Sequence, residues 1–214
     1  MFQSIPAPVG AVCRIATALC ASVLFPAIAA AHPILVDQTQ PYVGGGVAFL
    51  ASNDIGQTFT PTLDRLDAVD LWLMDTGPGN GVTNTLAVRI LELDGTVLGS
   101  SAPQVFGDLY GGGTVALTHF DLGPIALVPG TKYVIGFDLT TTGAFTDLGI
   151  GGYLAGTYTG GGFYRFSTGI ESPTADLAFA EGPAFAQAPE PASMLMFGVA
   201  ALGFAARRRF TGNS

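Results

Sequence analysis

Apolar residues recur at every second position along three stretches of this chain. Val69, Leu71 and Leu73 alternate with Asp70, Trp72 and Met74, and Leu86, Val88 and Ile90 alternate with Ala87 and Arg89. Tyr133, Ile135, Phe137 and Leu139 alternate with Lys132, Val134, Gly136 and Asp138. A period of two sends successive side chains to opposite faces, so each stretch predicts a strand with one buried face. Shorter strands are predicted at 55–60, 97–100, 115–122, 163–166 and 177–180. Asp94-Gly95 is a hairpin signal, and Pro129-Gly130 suits the centre of a type II turn. Glycine clusters at 44–46, 111–113, 151–152 and 160–162 predict loops, and no helical period of useful length runs between residues 34 and 187. Many short strands at close spacing predict an all-β fold, an antiparallel β-sandwich of jelly-roll type.

Two segments break the pattern by being apolar without alternating. At the start, Arg14 precedes the apolar stretch 15–25, and small residues follow up to Ala31. A positive residue, an apolar core and an A-x-A site make a secretory signal peptide, with cleavage after Ala29 or Ala31. At the other end, Pro189-Glu190-Pro191 is followed by the uncharged segment 192–206 and by Arg207, Arg208 and Arg209. The two prolines hold their neighbours extended and keep the motif out of any helix. As a helix, the 15 uncharged residues span roughly 22 Å. A bilayer core is about 30 Å thick, so the segment is short for a permanent anchor and suits a transient one. The arginines hold that end on the cytoplasmic side by the positive-inside rule.

A Pro-Glu-Pro element, a short apolar helix and a basic stop, in that order, resemble the PEP-CTERM sorting tail of exported proteins in Gram-negative bacteria. The resemblance implies an exosortase-type protease that cuts near Pro189, Glu190 and Pro191 and passes the body to the cell surface. The expected organisation is a signal peptide at 1–31, a β-sandwich body at 32–187 and a sorting tail at 188–214 that crosses the membrane once before processing.

Charge and cysteine content fit an exported body. Cys13 and Cys20 both fall in the leader, so the body must rest on its hydrophobic core without disulfides. Leu19 stands before Cys20 where a lipobox wants a small residue. All 16 acidic residues lie between Asp37 and Glu190, opposed there only by Arg65, Arg89, Lys132 and Arg165. Such a body argues against nucleic acid or anionic lipid as its partner.

Enzyme motifs are poorly supplied. The chain has no G-x-S-x-G elbow, and His119 is the one histidine well inside the body. Pro129-Gly130-Thr131-Lys132 precedes an alternating strand rather than the helix of a phosphate loop. No His/Cys cluster suits zinc. The loop 75–84 offers Asp75, Asn80 and Asn84 in a glycine-rich turn, the oxygen ligands calcium takes, although a polar connection is the plainer reading. Trp72 beside Asp70 supplies an apolar plate and a hydroxyl acceptor, which is what a sugar needs, and Tyr153 and Tyr158 add aromatic surface. The competing reading packs Trp72 under a loop or the opposite sheet. The run of strands and turns between residues 50 and 181 is similar in layout to the jelly-roll modules of secreted bacterial proteins, carbohydrate-binding modules among them. The expectation is therefore a non-enzymatic cell-surface or extracellular-matrix protein without a cofactor. The alternative is a module that binds extracellular polysaccharide, and a polysaccharide-active enzyme stands further off.

Overall fold

A computed structural model of the chain describes residues 34–185. Among them the regular structure is strand, apart from one 3-10 turn at Tyr110–Gly113. The strands form two antiparallel sheets.

The first sheet is organised by β4 (Arg65–Asp75), whose two edges are both occupied. One edge pairs with β8 (Ala116–Ala126). The other is shared: β14 (Phe179–Gly182) takes its first half and β10 (Leu148–Tyr153) its second. β1 (Gln38–Gln40) closes on β14, while β2 (Val47–Leu50) and β13 (Asp176–Leu177) pair with β10. The second sheet runs β12 (Ile170–Ser172), β11 (Phe163–Arg165), β3 (Ile55–Phe59), β9 (Tyr133–Thr141) and β5 (Asn84–Leu91). β6 (Val97–Ser100) and β7 (Gln104–Phe106) share the far edge of β5.

The alternation seen in the sequence decides which face turns inward. Val69, Leu71 and Leu73 of the first sheet meet Leu86, Val88, Ile90, Ile135 and Phe137 of the second in one buried cluster, completed by Phe59, Phe120, Ile150 and Phe179. These side chains are removed from water almost entirely, each contributing roughly 1.5–3 kcal/mol by burial. The sheets thus form a sandwich around a dry interior. Leu91, Val134 and Tyr164 make a small second cluster with Phe166 against the outer side of the second sheet.

The turns follow their chemistry. Gly130 has φ +79° behind Pro129, and the Thr131 amide donates to Val128 across the turn. In the hairpin between β5 and β6 the Gly95 amide donates to Glu92, and Gly95 itself takes φ +92°.

One expectation is corrected. Gly151 and Gly152 were expected to lie in a loop, yet they belong to β10. The reason is space. A Cβ on Gly151 would sit 2.8 Å from the Tyr42 ring, and one on Gly152 2.8 Å from the Phe49 ring. The glycines let aromatic rings lie directly on the strand. The short edge strands β1, β2, β7 and β12 carried no alternating signal, since three or four residues are too few to show a period.

The interior also holds a carboxyl group that the core does not explain. Glu181 shares the inward face of β14 with Phe179 and is 0% exposed, and neither of its oxygens meets a hydrogen-bond donor. Burial, reinforced by the nearby Asp37 carboxylate, pushes its pKa up to about 8. Burial likewise raises the pKa of Asp176, which Gln57 contacts at 3.2 Å. A carboxyl whose folded pKa lies above its unfolded value binds its proton more tightly in the native state, so its contribution to stability is full at low pH and is lost as pH rises. For Glu181 the window runs from the ordinary value of 4.5 to about 8. Asp54, Asp94 and Asp108 are held below the usual range by hydrogen bonds, so their opposite dependence falls below that window. Denaturant unfolding should therefore show stability falling between pH 5 and 8 by several kcal/mol. Glu181→Gln should flatten most of that slope, and an unchanged slope in the variant would contradict the assignment.

Candidate functional site

The outward positions of β4 are Asp70, Trp72 and Met74, each partly exposed. Register puts Trp72 opposite Leu117 of β8 and Asp70 opposite His119. Cross-strand partners share a face, so these four side chains form one patch. Trp72 belongs to neither buried cluster, and Leu117 remains 58% exposed. His119 Nδ1 lies 2.7 Å from Asp70 Oδ1, with both side chains about one-fifth exposed. The Gln104 side chain donates to the His119 carbonyl at 2.7 Å, tying the free edge of β8 beside the pair.

Tyr42 extends the patch across β10. Its ring lies over Gly151, whose Cβ position would also approach the Trp72 Cβ at 3.4 Å. The Tyr42 and Tyr153 rings stand 6.0 Å apart at 31°. Tyr153 is also a fastener, because its hydroxyl accepts the Val43 amide at 2.7 Å and so holds the glycine-rich 41–46 crossing in place. The outer face of the first sheet thus carries Trp72, Leu117, Tyr42 and Tyr153 around a carboxylate–imidazole pair.

Tyr158 lies elsewhere. Its ring meets Phe179 edge-on at 5.2 Å, its hydroxyl donates to Gln38 at 3.2 Å and accepts from the Thr60 amide, and burial raises its pKa. It lines an open cleft of about 630 Å³ with Thr60, Lys132, Glu171 and the 156–161 loop. Lys132 and Glu171 form an ion pair across it at 2.9 Å. Tyr164 and Phe166 pack on the outer side of the second sheet. Tyr153, Tyr158 and the pair Tyr164 and Phe166 therefore lie on three separate surfaces.

The 75–84 loop is closed by its own hydrogen bonds. Asp75 accepts the Gly77 and Leu109 amides at 2.8 and 2.7 Å, and Asp108 accepts those of Gly79 and Gly81. Asn80 and Asn84 both donate to Asp147. Among the described residues no three His, Cys, Asp or Glu side chains converge as a metal site. Asp108, Asp147, Tyr42 and the pairing of His119 with Asp70 were not legible in the sequence, because each depends on a partner 27 or more residues away. Pro189, Glu190, Pro191 and Arg207, Arg208 and Arg209 lie outside the described residues. So does the apolar segment 192–206; among the described residues no helix is long and apolar enough to cross a membrane.

Residues 187–209 match the PEP-CTERM protein-sorting motif. The match spans the Pro-Glu-Pro element, the apolar segment and the arginines, and it marks an exported protein sorted through an exosortase. None of the curated proteins compared with the chain matches it.

The placement of Trp72 has a measurable consequence. Leu71→Ala, in the core, should cost about 2–5 kcal/mol. Trp72→Ala, although it removes the larger side chain, should cost less, roughly 1–2 kcal/mol, because part of the surface it loses was already wet. Urea midpoints of the two variants test this, and a greater loss at Trp72 would place its indole in the core.

Proposed function

We propose that this chain is the precursor of a non-enzymatic protein that an exosortase-type protease releases to the cell surface or extracellular matrix. The observation that carries the reading is the sorting motif at residues 187–209, which begins just beyond the last paired residue of the body. Ile34 bridges Ala184, the Leu35 amide donates to Pro183, and the Ala184 amide donates to Asp67. Cutting at Pro189-Glu190-Pro191 leaves every one of these contacts intact. The five residues from Phe185 to Pro189 reach roughly 16 Å when extended, enough to present the motif clear of the sandwich. Arg207, Arg208 and Arg209 hold the far end in the cytoplasm until the cut is made.

The body serves as a structural or adhesive unit of jelly-roll-like build. Its acidic charge keeps it soluble outside the cell. The carboxylate–imidazole pair, Asp70 and His119, hydrogen-bonds no serine, threonine or cysteine among the described residues. A second reading, recognition of an extracellular polysaccharide, is favoured by the position of Trp72 on the outer face rather than in the core.

Two measurements test processing. The intact mass of the surface-released protein should lack roughly the first 30 residues and everything past the Pro-Glu-Pro region. A released form that retains Arg207 to Arg209 would instead indicate a simple anchor. Replacing all three arginines with glutamate should weaken sorting and expose a C-terminal tag to periplasmic protease; unchanged protection and sorting would refute the topology.

A further inference from the structure

We infer that the outer face of the first sheet binds a glycan bearing free amines, an amino-sugar polymer rather than a neutral or acidic one. The inference rests on the second reading above and names its substrate class. Sugar recognition needs an apolar plate for C–H groups and polar groups beside it. Trp72 and Leu117 supply the plate, a cross-strand pair on one face with Leu117 58% exposed. Asp70 and His119 are the next cross-strand pair along the same two strands. Asp70 Oδ1 is held by His119 at 2.7 Å, which fixes the carboxylate beside the indole and leaves Oδ2 without a partner among the described residues.

Charge selects among sugars. Around Trp72 the outward positions of β4 and β8 hold two carboxylates, Asp70 and the exposed Asp121; the one cation on these two strands, Arg65 at the start of β4, is paired with Asp67. All four cations of the described body are engaged elsewhere: Arg65 with Asp67 at 2.8 Å, Lys132 with Glu171 at 2.9 Å, Arg165 with Asp54 at 3.3 Å, and Arg89 with the Phe137 carbonyl at 2.7 Å. A uronic acid or sulfated sugar finds no counter-charge here and meets like charge instead. An ammonium group meets the reverse, a carboxylate beside an indole face, the two partners a cation takes most readily at a surface. The Tyr42 ring lies against Gly151 of β10 and so borders the patch beside Trp72.

The test uses the surface-released protein and three β-1,4-linked tetramers that differ only at carbon 2: hydroxyl (glucose), acetamide (N-acetylglucosamine) and free amine (glucosamine), with the amine protonated. The amine tetramer should bind at least tenfold tighter than the other two. Trp72→Ala, which leaves the net charge unchanged, should abolish that binding, while Trp72→Phe, which keeps a plate, should retain it. Asp70→Asn should bring the amine tetramer down to the level of the hydroxyl one. Equal, Trp72-dependent binding of all three would overturn the amine assignment and leave the glycan reading standing. Amine preference that survives Trp72→Ala would mean diffuse attraction to an acidic protein and would overturn the site. Failure of all three tetramers to bind would remove the glycan reading as well.

Discussion

The sandwich depends on β4, a strand whose edges are both filled and whose side chains are sorted by the pleat into a dry set and a wet one. Its inward leucines and valine nucleate the cluster shared by both sheets. Its outward Asp70 and Trp72 sit over the same backbone, held by the same ladder bonds to β8, β10 and β14. A one-residue slip of that register would expose the core and bury the patch together. Stability and the candidate site are therefore two faces of one pairing.

Carboxylates perform much of the loop fastening in this molecule. With four cations in the described body, most acids cannot find a salt bridge, and many accept backbone amides instead. Asp37 takes the amides of Thr62 and Leu63, Asp54 that of Ser167, Asp94 that of Thr96, and Asp108 those of Gly79 and Gly81. Hydrogen bonds to an ionised acceptor are stronger than neutral ones, so an acidic, cysteine-free body gains loop rigidity without disulfides. Glu181 departs from this habit. It faces inward beside Phe179 with neither oxygen bonded, and so it is the acid whose titration the fold feels most.

The two ends of the body are joined to one another. β1 lies along β14, and the bridge from Ile34 to Ala184 continues that ladder to the limit of the described residues. The arrangement makes the body self-contained at the junction where the sorting segment is attached. It also gives Asp67, buried in the bulged start of β4, a role: it clasps the Ala184 amide and is itself paired with Arg65.

Local chemistry alone determined much of this protein. The alternation in 69–74, 86–90 and 133–139 specified three strands and the side chains each turns to the shared core, because pleat geometry is a property of the strand itself; Val134, on the opposite face of β9, is buried as well, under Tyr164 and Phe166 of the second sheet. The sorting tail was equally legible, since a rigid Pro-Glu-Pro, an uncharged run and three arginines act through their order and not through any fold. Tertiary structure decided the rest. Gly151 and Gly152 read as a loop by composition, but they form a strand because the Tyr42 and Phe49 rings need the space where side chains would stand. Trp72 could have packed inward or outward until the pairing with β8 set it opposite Leu117. Asp70 and His119 are 49 residues apart, and nothing local predicts that their side chains meet at 2.7 Å. Contacts of that range are created by strand register, and register is settled only when both sheets close on the shared core.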